Sequence, residues 1–317
     1  MRPFMQSNPI IIEVDGIEHR FSPIDRSKDI PNSKKSFNKV MNLMETPEDW
    51  ANLGTLLAGY KKAGVKLRSQ HWGKIVRRAE ETGNIYAVIE CTKQAEKTGL
   101  KLQTHEMVVR LLAGINDKII NGNQAATVQA VKWMDMTLDL LHRQDQVKKR
   151  EAAADAKVHA SRLARGLVLF TRASAVSAKQ AVGEDAAAEL TLLKDELELL
   201  NTLWKNADLK DLASLPEFAV LNPKAVEKHK NLNGAAFVGV IAQNMKAISL
   251  ARELVPAAAQ KLHTVETALS EHLTQYATND ERRDGSWAGV FKKITGAEPS
   301  WPAVPSKQIK ADGEFKV

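Results

Sequence analysis

The chain has 317 residues, of which 44% are hydrophobic and 5% aromatic, with a net charge of +7 and a pI near 9.3. That is enough apolar material for one large or two modest cores, and the low aromatic content beside abundant Ala, Leu, Lys and Glu leans towards helices. A single cysteine, Cys91, excludes an intrachain disulfide framework. The basic balance points to an anionic partner.

Met1 to Pro9 lacks the long apolar segment of a secretory signal, and no apolar run approaches the roughly 20 residues of a membrane span. The first predicted element is a β-hairpin. Ile10, Ile12 and Val14 alternate with Ile11 and Glu13, Asp15-Gly16 follows, and Ile17, His19 and Phe21 resume the alternation. Asp-Gly between two β-prone runs is a strong two-residue turn signal, because both residues take positive φ. A lone hairpin is marginal, so this one is expected to pack on helices or on a partner. Residues 22–45, with Pro23, Pro31 and several lysines, are expected to be a polar linker.

Helices follow. Thr46-Pro47-Glu48-Asp49 supplies a capping hydroxyl, a first-turn proline and acids against the helix dipole. That helix should stop at Gly64, a second should run from Ser69 to Gly83, a third from Asn84 to Gly99, and a fourth from Thr104 to about Gly122. An internal repeat lies here. Lys62-Ala63-Gly64-Val65-Lys66-Leu67-Arg68-Ser69 matches Lys97-Thr98-Gly99-Leu100-Lys101-Leu102-Gln103-Thr104, with the glycines 35 residues apart. Short helix pairs on a fixed period point to a solenoid. On these residues the segment resembles the pentatricopeptide repeat family, with Gln70 to Thr104 as the best unit. Leu67 and Leu102 stand where that family usually has proline. The resemblance implies helical hairpins, RNA and an organelle, but no base-reading positions are assigned.

Two seams mark the middle of the chain. Thr127, Val131, Met134, Leu138 and Leu141 step by three and four, as do Leu190, Leu193, Leu197, Leu200 and Trp204. Such spacing predicts long helices packed nearly parallel or antiparallel. Charge is uneven around them: 122–180 holds 10 basic and 5 acidic residues, 181–221 holds 3 and 9. Asn222-Pro223 starts another predicted helix, and helices over Gly234–Leu254 and Ala257–Tyr276 follow. From Thr278 the chain turns to Asp, Gly, Pro and Lys, and is expected to be an extended tail draped over a partner through Trp287, Phe291 and Trp301. The expected fold class is therefore mainly α, with pentatricopeptide-like helical hairpins, long antiparallel helices, a short N-terminal β-hairpin and an extended C-terminal tail. The expected boundaries are 1–45, 46–122, 123–277 and 278–317.

The sequence carries no Gly-rich phosphate loop, dinucleotide fingerprint, paired CxxC or HExxH. Its histidines, including His71, His105, His263 and His272, have no metal-ligand spacing. No catalytic residue, metal, cofactor or small-molecule substrate is expected. The functional candidates are basic. Arg162, Arg165, Arg172 and Lys179, spaced by 3, 7 and 7, form one helical stripe, which Lys148, Lys149 and Arg150 extend. Guanidinium forks suit phosphates, although the following acids, from Glu184 to Glu198, are placed to neutralise them. A second cluster, Lys61, Lys62, Lys66, Arg68, Lys74, Arg77 and Arg78, has Tyr60 and Trp72 interleaved, and aromatics among cations stack bases. Arg282, Arg283, Lys292 and Lys293 suit RNA backbone contacts in the tail.

Taken together, the features resemble the lineage-specific helical mitochondrial ribosomal proteins of fungi. That resemblance implies a structural role in the mitochondrial matrix, with rRNA and other ribosomal proteins as partners. Two alternatives remain: a pentatricopeptide factor for mitochondrial mRNA, and a protein-only helical scaffold.

Overall fold

The computed structural model describes residues 10–21, 32–148, 158–221, 232–280 and 283–302. The chain separates into two compact units, Met1–Met44 and Glu45–Val317.

In the first unit, β1 (Ile10–Val14) pairs antiparallel with β2 (Ile17–Phe21), in a register that runs from Ile10↔Phe21 to Val14↔Ile17. Asp15 (φ 50°) and Gly16 (φ 76°) make the expected turn. Ile11, Ile12, Val14 and Ile17 are all exposed. The expected linker is not all linker, because Ser33–Leu43 is a helix, α1. Asn32 caps it by accepting from the backbone N–H of Lys34 and Lys35 at 3.1 Å each, while Phe37 and Met41 form its buried face. Lysines between these apolar positions obscure the helical period.

The second unit begins as anticipated, with differences at the joints. Thr46 and Asp49 form a reciprocal capping box at 3.2 and 3.0 Å, opening α2 (Pro47–Ala51). The single helix expected up to Gly64 breaks at Asn52, and α3 is Leu53–Lys62. Next come α4 (Ser69–Glu81), α5 (Ile85–Lys93), a short α6 (Ala95–Thr98) divided from α5 at Gln94, and α7 (His105–Ile120). Gly64, Gly83 and Gly99 all take φ between 71° and 77°, the left-handed conformation that closes a helix without a Cβ penalty. Ser69 does not cap α4. The Arg68 N–H donates to His71 Nδ1 at 3.1 Å instead. Thr104 does cap α7, accepting from Met107 N–H at 3.3 Å.

The two long seams become α8 (Gln124–Lys148) and α10 (Ala187–Trp204). Met134, Leu138 and Leu141 are buried on the first, and Leu193, Leu197, Leu200 and Trp204 on the second. Between them in sequence lies α9 (Arg162–Ala181), the hub of the unit, which packs against α7, α8, α10 and α12 (Gly234–Leu254). The remaining elements are α11 (Pro216–Leu221), α13 (Pro256–Ala259), α14 (His263–Asn279) and α15 (Ser286–Thr295). The helix expected from Asn222-Pro223 lies outside the described residues.

The α9–α12 crossing is tight because Gly166 has no side chain. A Cβ there would sit 1.7 Å from Asn244 Oδ1. Polar side chains lock the same junction. Asn244 donates to the Leu163 and Val240 carbonyls at 3.3 and 2.8 Å. Asn116 donates to the Leu167 carbonyl and to Gln243 Oε1, both at 3.0 Å, and accepts from Thr171 Oγ1 at 2.6 Å. Buried amides satisfied in this way select one register among helices that apolar packing alone would leave loose.

Two expectations are corrected here. First, α12 has 21 residues and is long and apolar enough, by length and composition, to cross a bilayer. In the fold 56% of its apolar window is buried, and it carries the polar Gln243 and Asn244 into the core. Second, the chain beyond Thr278 is not extended over its described part. Ser286–Thr295 is helical and packs on α12. Trp287 stacks on Tyr276 with centroids 5.5 Å apart and fills the space left by Gly234, while Phe291 meets Trp301 at 5.1 Å. Their aromatic area is buried within this chain, which repays the ordering of an otherwise polar segment.

Candidate nucleic-acid interface

The hairpin region presents a basic edge. The links after α3 and α6 lie side by side: the Lys61 ammonium donates to the carbonyl of Glu96, its counterpart 35 residues on. A Cβ on Gly99 would be 3.7 Å from Lys61 Cδ and 3.8 Å from the Trp72 ring, so both side chains lie over that link. Trp72 is half-buried. Along the edge, Lys62, Lys66, Arg68, Lys97 and Lys101 are exposed. Their side chains have no carboxylate within salt-bridge distance among the described residues. Lys97 and Lys101 were absent from the sequence-derived candidates, although the second copy of the repeat carries them at the positions of Lys62 and Lys66.

Other members of the cluster are engaged. Arg77 pairs with Glu106 at 2.6 Å, and Arg110 reaches Glu106 at 3.1 Å and also Glu80. This chain of alternating charges joins α4 to α7. Burial pushes the Glu80 carboxyl up, against the opposing pull of Arg110. Arg78 pairs with Glu81 at 2.8 Å. Lys74 is half-buried, and its ammonium is pulled down by burial and then by Arg77 and Arg78. Asp117, nearby on α7, is pushed up to about 6 by burial, with Lys293 pulling the other way.

Of the α9 stripe, read as open either to phosphates or to neutralisation by the following acids, the three arginines turn inward, while Lys179 stays about a third exposed and is also paired. Arg165 forms a two-pronged pair with Glu196 of α10, and both side chains are nearly buried (11% and 5% exposed). Arg162 donates to Glu217 at 2.7 Å and to the Leu203 carbonyl at 2.9 Å, with its guanidinium over the Trp204 ring. Arg172 pairs with Asp135 of α8 at 2.5 Å, and Lys179 with Glu189 at 2.7 Å. The physical reason is the hub position of α9. A helix packed on several sides has little free face, and its buried cations need carboxylates to offset desolvation. The acids of α10 supply two of these partners, and Asp135 of α8 and Glu217 of α11 supply the other two.

In the C-terminal segment, Arg283 donates to the Ala277 carbonyl at 3.1 Å, Lys292 pairs with Glu298, and Lys293 is exposed. Arg282, Lys149 and Arg150 lie outside the described residues, and nothing is described of the Lys148 side chain. Cys91 is buried and its thiol is pushed up to about 12, which removes it as a nucleophile at neutral pH. No cluster of three or more His, Cys, Asp or Glu residues suited to a metal ion occurs among the described residues.

Comparison with known proteins gives the context for this basic edge. One relative is the small ribosomal subunit protein mS27 of Neurospora crassa, 34% identical over 105 residues, or 33% of this chain. The match spans about a quarter of that relative's own length (26%). Residues 1–293 match the family described as mitochondrial ribosomal protein mS27, a family of ribosomal proteins and not of enzymes. Matched over nearly its whole length, the chain belongs to the mitochondrial ribosomal protein mS27 family.

Proposed function

We propose that this chain is a structural, non-enzymatic component of the mitochondrial small ribosomal subunit, working in the matrix, where it binds rRNA phosphates and neighbouring ribosomal proteins. The family match over residues 1–293 carries the proposal. The basic edge supports the RNA part. Lys62, Lys66, Arg68, Lys97 and Lys101 are exposed cations on a rigid helical frame, and phosphate contacts need no base-specific geometry. Lys61 and Trp72 brace that edge, and Lys293 adds a cation elsewhere on the unit. The exposed Ile11, Ile12, Val14 and Ile17 support a protein-binding role for the hairpin arm, since an apolar two-stranded ribbon gains stability by docking.

We read segment 46–122 as degenerate pentatricopeptide-like hairpins. Gly64 and Gly99, 35 residues apart, adopt the same left-handed stop, and Lys61 bonds to its counterpart Glu96. Such a frame here serves placement rather than base reading.

Sedimentation of the endogenous protein from mitochondrial lysate, with and without RNase and across salt, tests the function. Co-migration with the small subunit in moderate salt is expected. Light migration indifferent to RNase would overturn the proposal in favour of a protein-only scaffold, and light, RNase-sensitive fractions would favour an mRNA factor.

A further inference from the structure

Three helices converge on an aromatic site that the basic clusters do not include. Tyr86 of α5 stacks on Trp133 of α8, with ring centroids 5.0 Å apart and planes at 21°. The Lys118 ammonium of α7 lies over the Trp133 ring, 4.7 Å from its centroid. Trp133 is 8% exposed, whereas Tyr86 is 40% exposed. The column therefore runs from a cation through a buried ring to a ring that is open to solvent.

These three side chains border an open cavity of about 500 Å³, also lined by Trp50, Gln94 and Gln129. Gln94 and Gln129 make no side-chain hydrogen bond among the described residues, so each amide keeps its donor and acceptor capacity. Trp50 is 2% exposed, and its indole N–H has no acceptor among the described residues. Glu90, which also borders the cavity, is held by Lys93 at 2.7 Å and by Tyr86, and these bonds keep its carboxyl low. The site thus joins an exposed π-face, uncommitted amides and a nearby cation.

We propose that this cavity receives one unpaired nucleobase of an RNA strand, stacked on Tyr86, with Lys118 strengthening the column electrostatically and Gln94 and Gln129 bonding to the base edge. Stacking on an aromatic face tolerates any base, and free amides supply both donors and acceptors for its edge. Cation–π contact with Trp133 polarises the stack to which the base is added. The inference rests on the proposed RNA-binding role and deepens it, adding a base contact to the phosphate contacts of the lysine edge.

The test uses the full chain and two probes of equal length at fixed salt, a single-stranded RNA nonamer and an abasic counterpart that keeps the phosphates. Binding is read by fluorescence anisotropy. Tyr86→Ala should weaken binding of the base-bearing probe about ten-fold, leave the abasic probe unchanged, and be rescued by Tyr86→Phe. Equal binding of the base-bearing probe by Tyr86→Ala and the unsubstituted chain would overturn the proposal, as would equal losses on both probes. If RNA binding survives Tyr86→Ala but the chain no longer sediments with the small subunit, the cavity belongs to a protein segment and the base proposal falls. Failure of the unsubstituted chain to bind either probe would sink the RNA-binding role together with this inference.

Discussion

Two basic regions that read alike in sequence behave differently in the fold. The link edge of the α3–α6 hairpins keeps Lys62, Lys66, Arg68, Lys97 and Lys101 exposed, whereas α9 commits Arg162, Arg165, Arg172 and Lys179 to carboxylates of the same chain. The difference follows from position. A helix terminus at the rim of the unit has few neighbours, so cations there stay hydrated, and Lys62 and Lys97, in the last turns of α3 and α6, also complement the helix dipole. A hub helix has neighbours on most of its faces, and its cations must be matched or lose their hydration without compensation. Counting positive charge therefore says where cations are, and only packing says which of them are available to an outside phosphate.

The largest test of this contrast is Glu196→Ala. It strands Arg165 in a nearly buried site, and loss of one partner of such a pair costs about 3–5 kcal/mol. Chemical denaturation should show that loss, with no gain in RNA affinity. A gain in affinity without destabilisation would mean that Arg165 is as available as the link lysines. Replacing Lys62, Lys66 and Lys101 together by Ala should do the reverse. RNA affinity at about 0.1 M salt should fall about ten- to a hundred-fold and the salt slope should flatten by up to about three contacts, while stability changes by about 0.5 kcal/mol or less. A collapse in stability would show the edge to be structural.

The smallest effect concerns pH. Asp117 sits at about 6 in the fold, above the ordinary carboxylate value, so the native state holds its proton more tightly than the unfolded chain does. Its contribution is present below about pH 4 and is lost as pH rises through 6. Asp117→Asn should remove that fall, a change on the order of 1 kcal/mol between pH 4.5 and 7.5 after allowing for partial exposure. The His105 and His272 imidazoles, lowered chiefly by burial, act in the opposite sense, their cost falling away as pH rises towards the ordinary imidazole value. The difference between the two denaturation profiles isolates Asp117. An unchanged profile would return Asp117 to the class of solvated carboxylates.

Much of the fold was legible where the signal is local. Asp15-Gly16 takes both positive φ values of its turn, Thr46 and Asp49 form the capping box their spacing implies, and Gly64, Gly83 and Gly99 end helices where expected. Legibility ended where tertiary contact decides. The helix at Ser33–Leu43 hides among lysines, and the helix at Ser286–Thr295 exists because α12 offers Gly234 beneath Trp287. The site divides in the same way. Lys62, Lys66 and Arg68 were visible from their own repeat, and Lys97 and Lys101 stood in its second copy. Tyr86, Trp133 and Lys118 meet from three helices with no shared motif, and the partners of Arg162 and Arg172 lie 55 and 37 residues away.

The alternating chain Arg77–Glu106–Arg110–Glu80 and the α9 pairs also bear on the timing of assembly. A protein whose interior cations waited for phosphate would stay incompletely folded until nucleic acid arrived. Here the inner charges find counterparts within the chain itself, so the helical body can fold ahead of assembly and join as a finished part. The exposed link lysines lie outside that balance, so under the proposed RNA-binding role they would govern the rate and salt sensitivity of docking without governing whether there is a folded protein to dock.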